Sequence, residues 1–194
     1  MIAFVRGQFA IKTPARIVVD VNGVGYDLQI SLNTYSAISN KQEGLLHTYL
    51  HITENAQTMY GFADVQEKEM FLQLISVSGV GAATARMMLS GMKPDEIARA
   101  IVQGNTKQLE SIKGIGRKSA ERLIVELRDK LGKQSLENQL TGISPIDSID
   151  IDAVTALMAL GIARPAAESA VKKVTRANPD VPLEEMIKQA LKNL

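Results

Sequence analysis

The sequence contains no cysteine and no tryptophan. Without thiols it can carry no disulfide framework, no Cys-ligated zinc, no iron–sulfur cluster and no thiol nucleophile. Aromatic residues make up only 4% of its 194 residues. No apolar run approaches the ~18 residues of a membrane span. The apolar stretch in Met1–Arg6 is too short for a signal peptide, so a cytoplasmic protein is expected. Net charge is nearly absent as well, with 22 Lys and Arg against 21 Asp and Glu, or +1 in total. Taken alone, that balance argues against a polyanionic partner. What is present, 45% hydrophobic and 22% charged residues, is an ordinary globular composition. The length suits one domain or several small ones.

The chain has three textures. In residues 1–63, β-branched and aromatic residues alternate. Strands are predicted over Phe4–Phe9, Arg16–Val21, Gly25–Ile30, Leu45–Ile52 and Gln57–Phe62. Asn22-Gly23 between the second and third is a strong hairpin signal. Asn33 to Asn40 reads as a short polar connection. Five short strands so interrupted suit a Greek-key barrel of the oligonucleotide/oligosaccharide-binding (OB) type. In residues 64–132 the apolar period becomes helical, at Phe71, Leu74, Ile75, Met88, Leu89, Ile97, Ile101, Leu123 and Leu127. Pro94-Asp95-Glu96 marks a helix start. Residues 133–149, rich in polar side chains, read as a flexible linker. Residues 150–194 give three amphipathic helices, Asp150–Leu160, Arg164–Ala177 and Pro182–Leu194, a small UBA-like bundle. The expected class is therefore α+β and multidomain.

The helical block contains a repeat. Leu74 to Ala85 aligns with Leu109 to Ala120 at an offset of 35 residues, with Leu, Ser, both glycines and Ala identical. Each copy is an apolar helix, then Gly-apolar-Gly, then a second helix. Gly79-Val80-Gly81 and Gly114-Ile115-Gly116 allow a tight turn into a helix N-terminus. The first N–H groups of such a helix lack internal partners and, with the helix dipole, attract anions. A phosphate fits, and phosphate contacts carry no base identity. Arg117, Lys118 and Arg122 add cations after the second turn. Ala82 and Ala83 stand after the first, with Arg86 nearby. Glycines used only to turn two helical hairpins are the plainer alternative for a single copy; the duplication and the Arg-Lys pair favour the anion site. Gly79 and Gly114 follow helices rather than strands, unlike a Rossmann turn. A P-loop ending at Lys118 would need glycines where Ile112 and Arg117 stand.

These residues resemble the helix-hairpin-helix family of sequence-independent DNA binders. The whole chain resembles the RuvA family of Holliday-junction-binding subunits. That likeness rests on Asn22-Gly23-Val24-Gly25-Tyr26, Met59-Tyr60-Gly61-Phe62, both glycine turns, and the run from Arg117 to Leu127. It implies a homotetramer, with an octamer on DNA left open, that holds a four-way junction open. It implies two partners besides the DNA: the hexameric ATPase RuvB, recruited by the C-terminal domain, and the resolvase RuvC. No cofactor, metal or catalytic residue is implied. It also implies an acidic pin between the last two barrel strands, here Glu54 followed by Asn55 where two acids are usual. Ala83 likewise replaces a common Lys.

Leu157, Met158, Leu160 and Ile162 are expected to form the partner-binding face of the tail. His47 and His51 read as solvated strand residues, since four strand residues span roughly 13 Å, too far for one metal. The methionines read as core. Two other functions compete: a helix-hairpin-helix DNA-repair enzyme, and a single-strand DNA-binding protein stacking bases on the barrel aromatics. Counted by segment, residues 1–63 are neutral, 64–133 carry +3 and 134–194 carry −2. The +1 total thus conceals a basic middle and an acidic tail.

Overall fold

The computed structural model describes residues 2–140, 145–178 and 181–193. Two compact units form, Met1–Ser135 and Leu136–Leu194.

The first unit opens with five strands, β1 (Phe4–Thr13), β2 (Arg16–Val21), β3 (Val24–Ile30), β4 (Glu43–Ile52) and β5 (Gln57–Phe62). They close into a barrel in the order β1-β2-β3-β5-β4. The β3–β5 pair is parallel and the others antiparallel. Asn22 at φ 52° and Gly23 at φ 87° make the β2–β3 turn that the sequence predicts. Alternate residues point inward, and Val5, Phe9, Ile17, Val19, Leu28, Ile30 and Leu46 fill the barrel.

The polar connection expected at 33–40 is instead largely a helix, α1 (Leu32–Ile38). Its local signal lies just upstream, where the Ser31 side chain accepts the Thr34 N–H at 3.0 Å. Seven residues are too few to display a helical period, and only Thr34 and Ile38 are buried.

Helices α2 (Val65–Ile75), α3 (Ala82–Gly91), α4 (Pro94–Val102), α5 (Thr106–Glu110) and α6 (Arg117–Leu140) follow. They are not a body separate from the barrel. Phe71 of α2 lies 5.0 Å, ring centre to ring centre, from both Tyr60 and Phe62 of β5, and 5.7 Å from Tyr49 of β4. One apolar core therefore spans the boundary drawn at residue 63. Polar clamps reinforce it. Asn33 donates to the carbonyls of Leu89 at 2.6 Å and Met92 at 3.0 Å. Arg86 donates to Gln29 at 2.5 Å and to the Ala15 carbonyl at 3.1 Å. Buried Glu67 accepts from the hydroxyls of Ser31 and Thr34, and Thr34 in turn accepts the Ala63 N–H at 3.0 Å.

The segment read as a flexible linker, 133–149, differs from expectation. Residues 133–140 continue α6 and 145–149 begin α7 (Pro145–Ala159), while 141–144 lie outside the described residues. Lys, Gln, Leu and Glu are good helix formers even where no apolar stripe marks them. In the second unit α7, α8 (Arg164–Ala177) and α9 (Leu183–Lys192) pack around Ala153, Leu157, Ala167, Val171, Val174 and Met186. Pro179, Asp180 and Leu194, also part of the sequence reading, lie outside the described residues.

Burial pushes the Glu67 carboxyl above its usual range, opposed by the Ser31 and Thr34 hydrogen bonds. The folded chain therefore keeps a proton that the unfolded chain has released. Stability attributable to Glu67 is full below the ordinary Glu value (~4.3) and declines as pH rises through the folded value. Glu67→Ala is expected to cost about 2–4 kcal/mol in urea unfolding, through a void and two unpaired hydroxyls. Glu67→Gln should remove this part of the pH dependence.

Candidate nucleic-acid interface

Both glycine turns are built alike. Gly79 has φ +90° and Gly114 φ +95°, beyond the small left-handed region open to other residues. Each turn is closed by one backbone bond, Val80 N–H to Val77 at 3.0 Å and Ile115 N–H to Ile112 at 3.0 Å. Val80 and Ile115 are buried and plug the turns into the helical core. Gly81 then stands at the N-cap of α3 with extended backbone, φ −81° and ψ 164°. Gly116 occupies the equivalent place before α6.

The helix starts in this unit fall into two groups. The first turns of α1, α2 and α5 are capped by Ser31, Asp64 and Asn105, which accept N–H groups at 3.0, 2.7 and 3.2 Å. At α4, Glu96 reaches back to the Lys93 N–H at 2.8 Å. Gly81 and Gly116 have no side chain with which to cap. The first bonds found are Ala85 N–H to Gly81 at 2.9 Å and Ala120 N–H to Gly116 at 3.0 Å. Among the described residues, the N–H groups of Ala82, Ala83 and Thr84, and of Arg117, Lys118 and Ser119, therefore have no internal acceptor. Two uncapped helix starts of one unit carry the positive ends of their dipoles outward.

The cations are distributed unequally. Lys118 is exposed and, among the described residues, has no ion-pair or side-chain hydrogen-bond partner. The Arg117 side chain is 81% exposed and pairs with Glu121 at 2.9 Å, which raises the guanidinium pKa further. Arg122 turns away from its own helix start and donates to the Ser78 carbonyl at 3.1 Å. Arg86, the cation near the first turn, is held against the barrel as described. Sequence reasoning passed over Lys113, exposed and directly before Gly114. Its signal was its place inside the repeat, where the first copy has Ser78.

Glu54 and Asn55 are exposed at the tip of the β4–β5 hairpin, whose turn is closed by Thr53 N–H to Ala56 at 2.9 Å. This hairpin and both glycine turns belong to the same compact unit. The barrel aromatics, which a base-stacking surface would need exposed, are divided between core and surface. Phe9, Tyr60 and Phe62 are buried, while Phe4 is 53% exposed. His47 and His51 are half-buried rather than solvated, with the His51 ring 6.2 Å from Tyr49 and 6.4 Å from Tyr60. Met87 is 43% exposed, against the reading of the methionines as core, because it faces outward on α3.

In the tail the expected partner face divides. Leu157 is fully buried among α7, α8 and α9 and is withdrawn from that face. Met158 and Leu160 are exposed, and Ile162 is half-buried against the core. Helical spacing selects an apolar stripe but does not divide it between core and surface. Ile151, about two turns before Met158 on α7, is also exposed and is absent from the sequence reading.

Three family models match the chain. "RuvA N terminal domain" covers residues 1–61, "SAM-like Helix-hairpin-helix tandem" covers 71–129, and "RuvA, C-terminal domain" covers 152–194. A protein of Cytophaga hutchinsonii is 44% identical over 99% of both chains. One of Bacteroides thetaiotaomicron is 45% identical over 100% of both, and one of Flavobacterium psychrophilum 44% over 100% of both. Each bears the name Holliday junction branch migration complex subunit RuvA.

The two kinds of glycine should respond oppositely to substitution. Gly114→Ala forces a Cβ onto φ +95° and is expected to cost about 1–3 kcal/mol. Gly81→Ser enters open space at an ordinary φ and supplies a cap, so stability should hold or rise by a few tenths of a kcal/mol. Urea unfolding midpoints of the two variants check this.

Proposed function

The chain belongs to the RuvA family, and from that membership we propose that it binds Holliday junction DNA by structure rather than by sequence, as the DNA-binding subunit of a branch migration complex. The observation that carries the reading is the pair of uncapped helix starts, each behind a glycine turn. Six free N–H groups and two helix dipoles suit two phosphates of a duplex backbone. Arg117 and Lys118 add positive charge at the second site. Backbone donors do not distinguish bases, so binding is independent of sequence.

With one well-furnished site and one made mainly of backbone, a single subunit grips weakly. A homotetramer of four such grips gains effective concentration on a four-armed substrate that it cannot gain on one duplex. In that assembly Glu54 of each subunit lies near the crossover, where carboxylates repel phosphates and help to direct strands into separate arms. Asn55 contributes no charge there. The tail recruits the hexameric ATPase RuvB through exposed Met158 and Leu160, with Ile162 at the edge. ATP hydrolysis belongs to that motor, and RuvC resolves the product. The repair-enzyme and single-strand readings gain no support from particular residues. Tyr60 and Phe62, which a stacking surface would need, are packed against Phe71.

The test is a gel shift comparing four-way junction, duplex and single strand at matched salt. A clear preference for the junction is expected, and equal binding to all three would overturn the reading. Lys118→Ala should weaken binding to every sequence alike and reduce the slope of log K against log salt by about one phosphate contact.

A further inference from the structure

The second glycine turn carries a cation that the first turn uses. Arg122 lies in α6, after the second turn, yet its Nη1 donates to the carbonyl of Ser78 at 3.1 Å. Ser78 is the residue before Gly79, so this bond ends on the first turn. A Cβ placed on Gly79 would lie 3.9 Å from the same nitrogen. On its other side the guanidinium is drawn by Glu126, one helical turn on, with Nε 3.7 Å from the carboxylate. Arg122 is therefore held at both ends, by α6 and by the opposite turn.

The repeat supplies an internal comparison. At the 35-residue offset, Arg122 corresponds to Met87 and Ser78 to Lys113. Met87 and Lys113 both line an open groove of about 310 Å³, with Ser90, Met92 and Ile112. Among the described residues, no hydrogen bond spans that side between the two. The paired hairpins are thus latched on one side only, and the latch is charged.

We propose that Arg122 is a positioning residue that fixes the first glycine turn relative to the second, and so sets the spacing of the two phosphate sites. It acts through the Ser78 carbonyl rather than by neutralising a phosphate. The first turn has no cation of its own after it, since Ala82 and Ala83 occupy those places. Its grip depends on how accurately its three N–H groups are presented. The latch holds the backbone directly before that turn. This deepens the reading of the two turns as phosphate sites and rests on it.

Arg122→Met tests it, because it keeps an unbranched apolar stem and copies the residue of the first repeat. Junction affinity and its salt slope would be measured beside Lys118→Ala, with amide hydrogen exchange of the free protein over 78–85. The latch predicts about a tenfold loss of affinity, the equivalent of one hydrogen bond to a charged group. It predicts a salt slope like that of the unsubstituted chain and faster exchange at Val80 and Ala85, whose N–H groups are hydrogen-bonded to Val77 and Gly81. A slope lowered by about one, as for Lys118→Ala, would make Arg122 a phosphate contact and overturn the proposal. Unchanged affinity, or unchanged exchange at the first turn, would also overturn it. If Lys118→Ala itself left affinity and slope intact, the phosphate-site reading would fail rather than the latch. The Arg122→Met exchange result would still report on the latch alone.

Discussion

A backbone at φ near +90° is open to glycine and hostile to residues with a Cβ, and this chain adopts it at Gly79 and Gly114. That constraint has two consequences. The turn becomes tight enough to bury Val80 or Ile115 beneath it, which anchors the turn to the helical core. The chain also enters the next helix through a second glycine that cannot cap it. The same feature that makes the fold compact therefore leaves polar hydrogens exposed. The other helix starts of this unit spend a Ser, Asp, Asn or Glu to satisfy those hydrogens. At α3 and α6 no side chain caps them, and on the proposed function DNA phosphates take that place.

The rest of the first unit holds those starts in place. Phe71 joins the helices to the aromatic face of β4 and β5, and Glu67, Asn33 and Arg86 tie the barrel to α2 and α3. The barrel tip with Glu54 and the two glycine turns thus belong to one body rather than to hinged modules. That matters for a ligand with fixed geometry such as a four-armed junction. Near-neutral net charge is compatible with this mode of binding. Backbone N–H groups and dipoles supply positive potential that a count of Lys and Arg does not see.

The strands, the β2–β3 turn and the duplicated hairpins were readable because each has a local cause: alternation, Asn-Gly, and glycine at fixed spacing. Features that depend on distant partners were not. The sequence shows α1 only through Ser31, since its burial comes from packing on the barrel. The shared core across residue 63 needs Phe71 to meet Tyr60 and Phe62, which no spacing rule foretells. Arg122 and Arg86 looked like free cations because their acceptors, Ser78 and Gln29, lie 44 and 57 positions away. Leu157 and Met158 are adjacent, yet only the fold decides which faces inward. In 133–140 helix propensity prevailed over the polar composition that suggested a linker.

On the proposed function, backbone N–H groups at two uncapped helix starts hold the DNA. Amide chemical-shift mapping of the full chain titrated with a four-way junction tests it most directly. The strongest perturbations are expected at Ala82, Ala83 and Thr84 and at Arg117, Lys118 and Ser119, with little change at the capped starts of α2 and α4. Perturbations centred on the barrel strands, with both glycine turns silent, would contradict it.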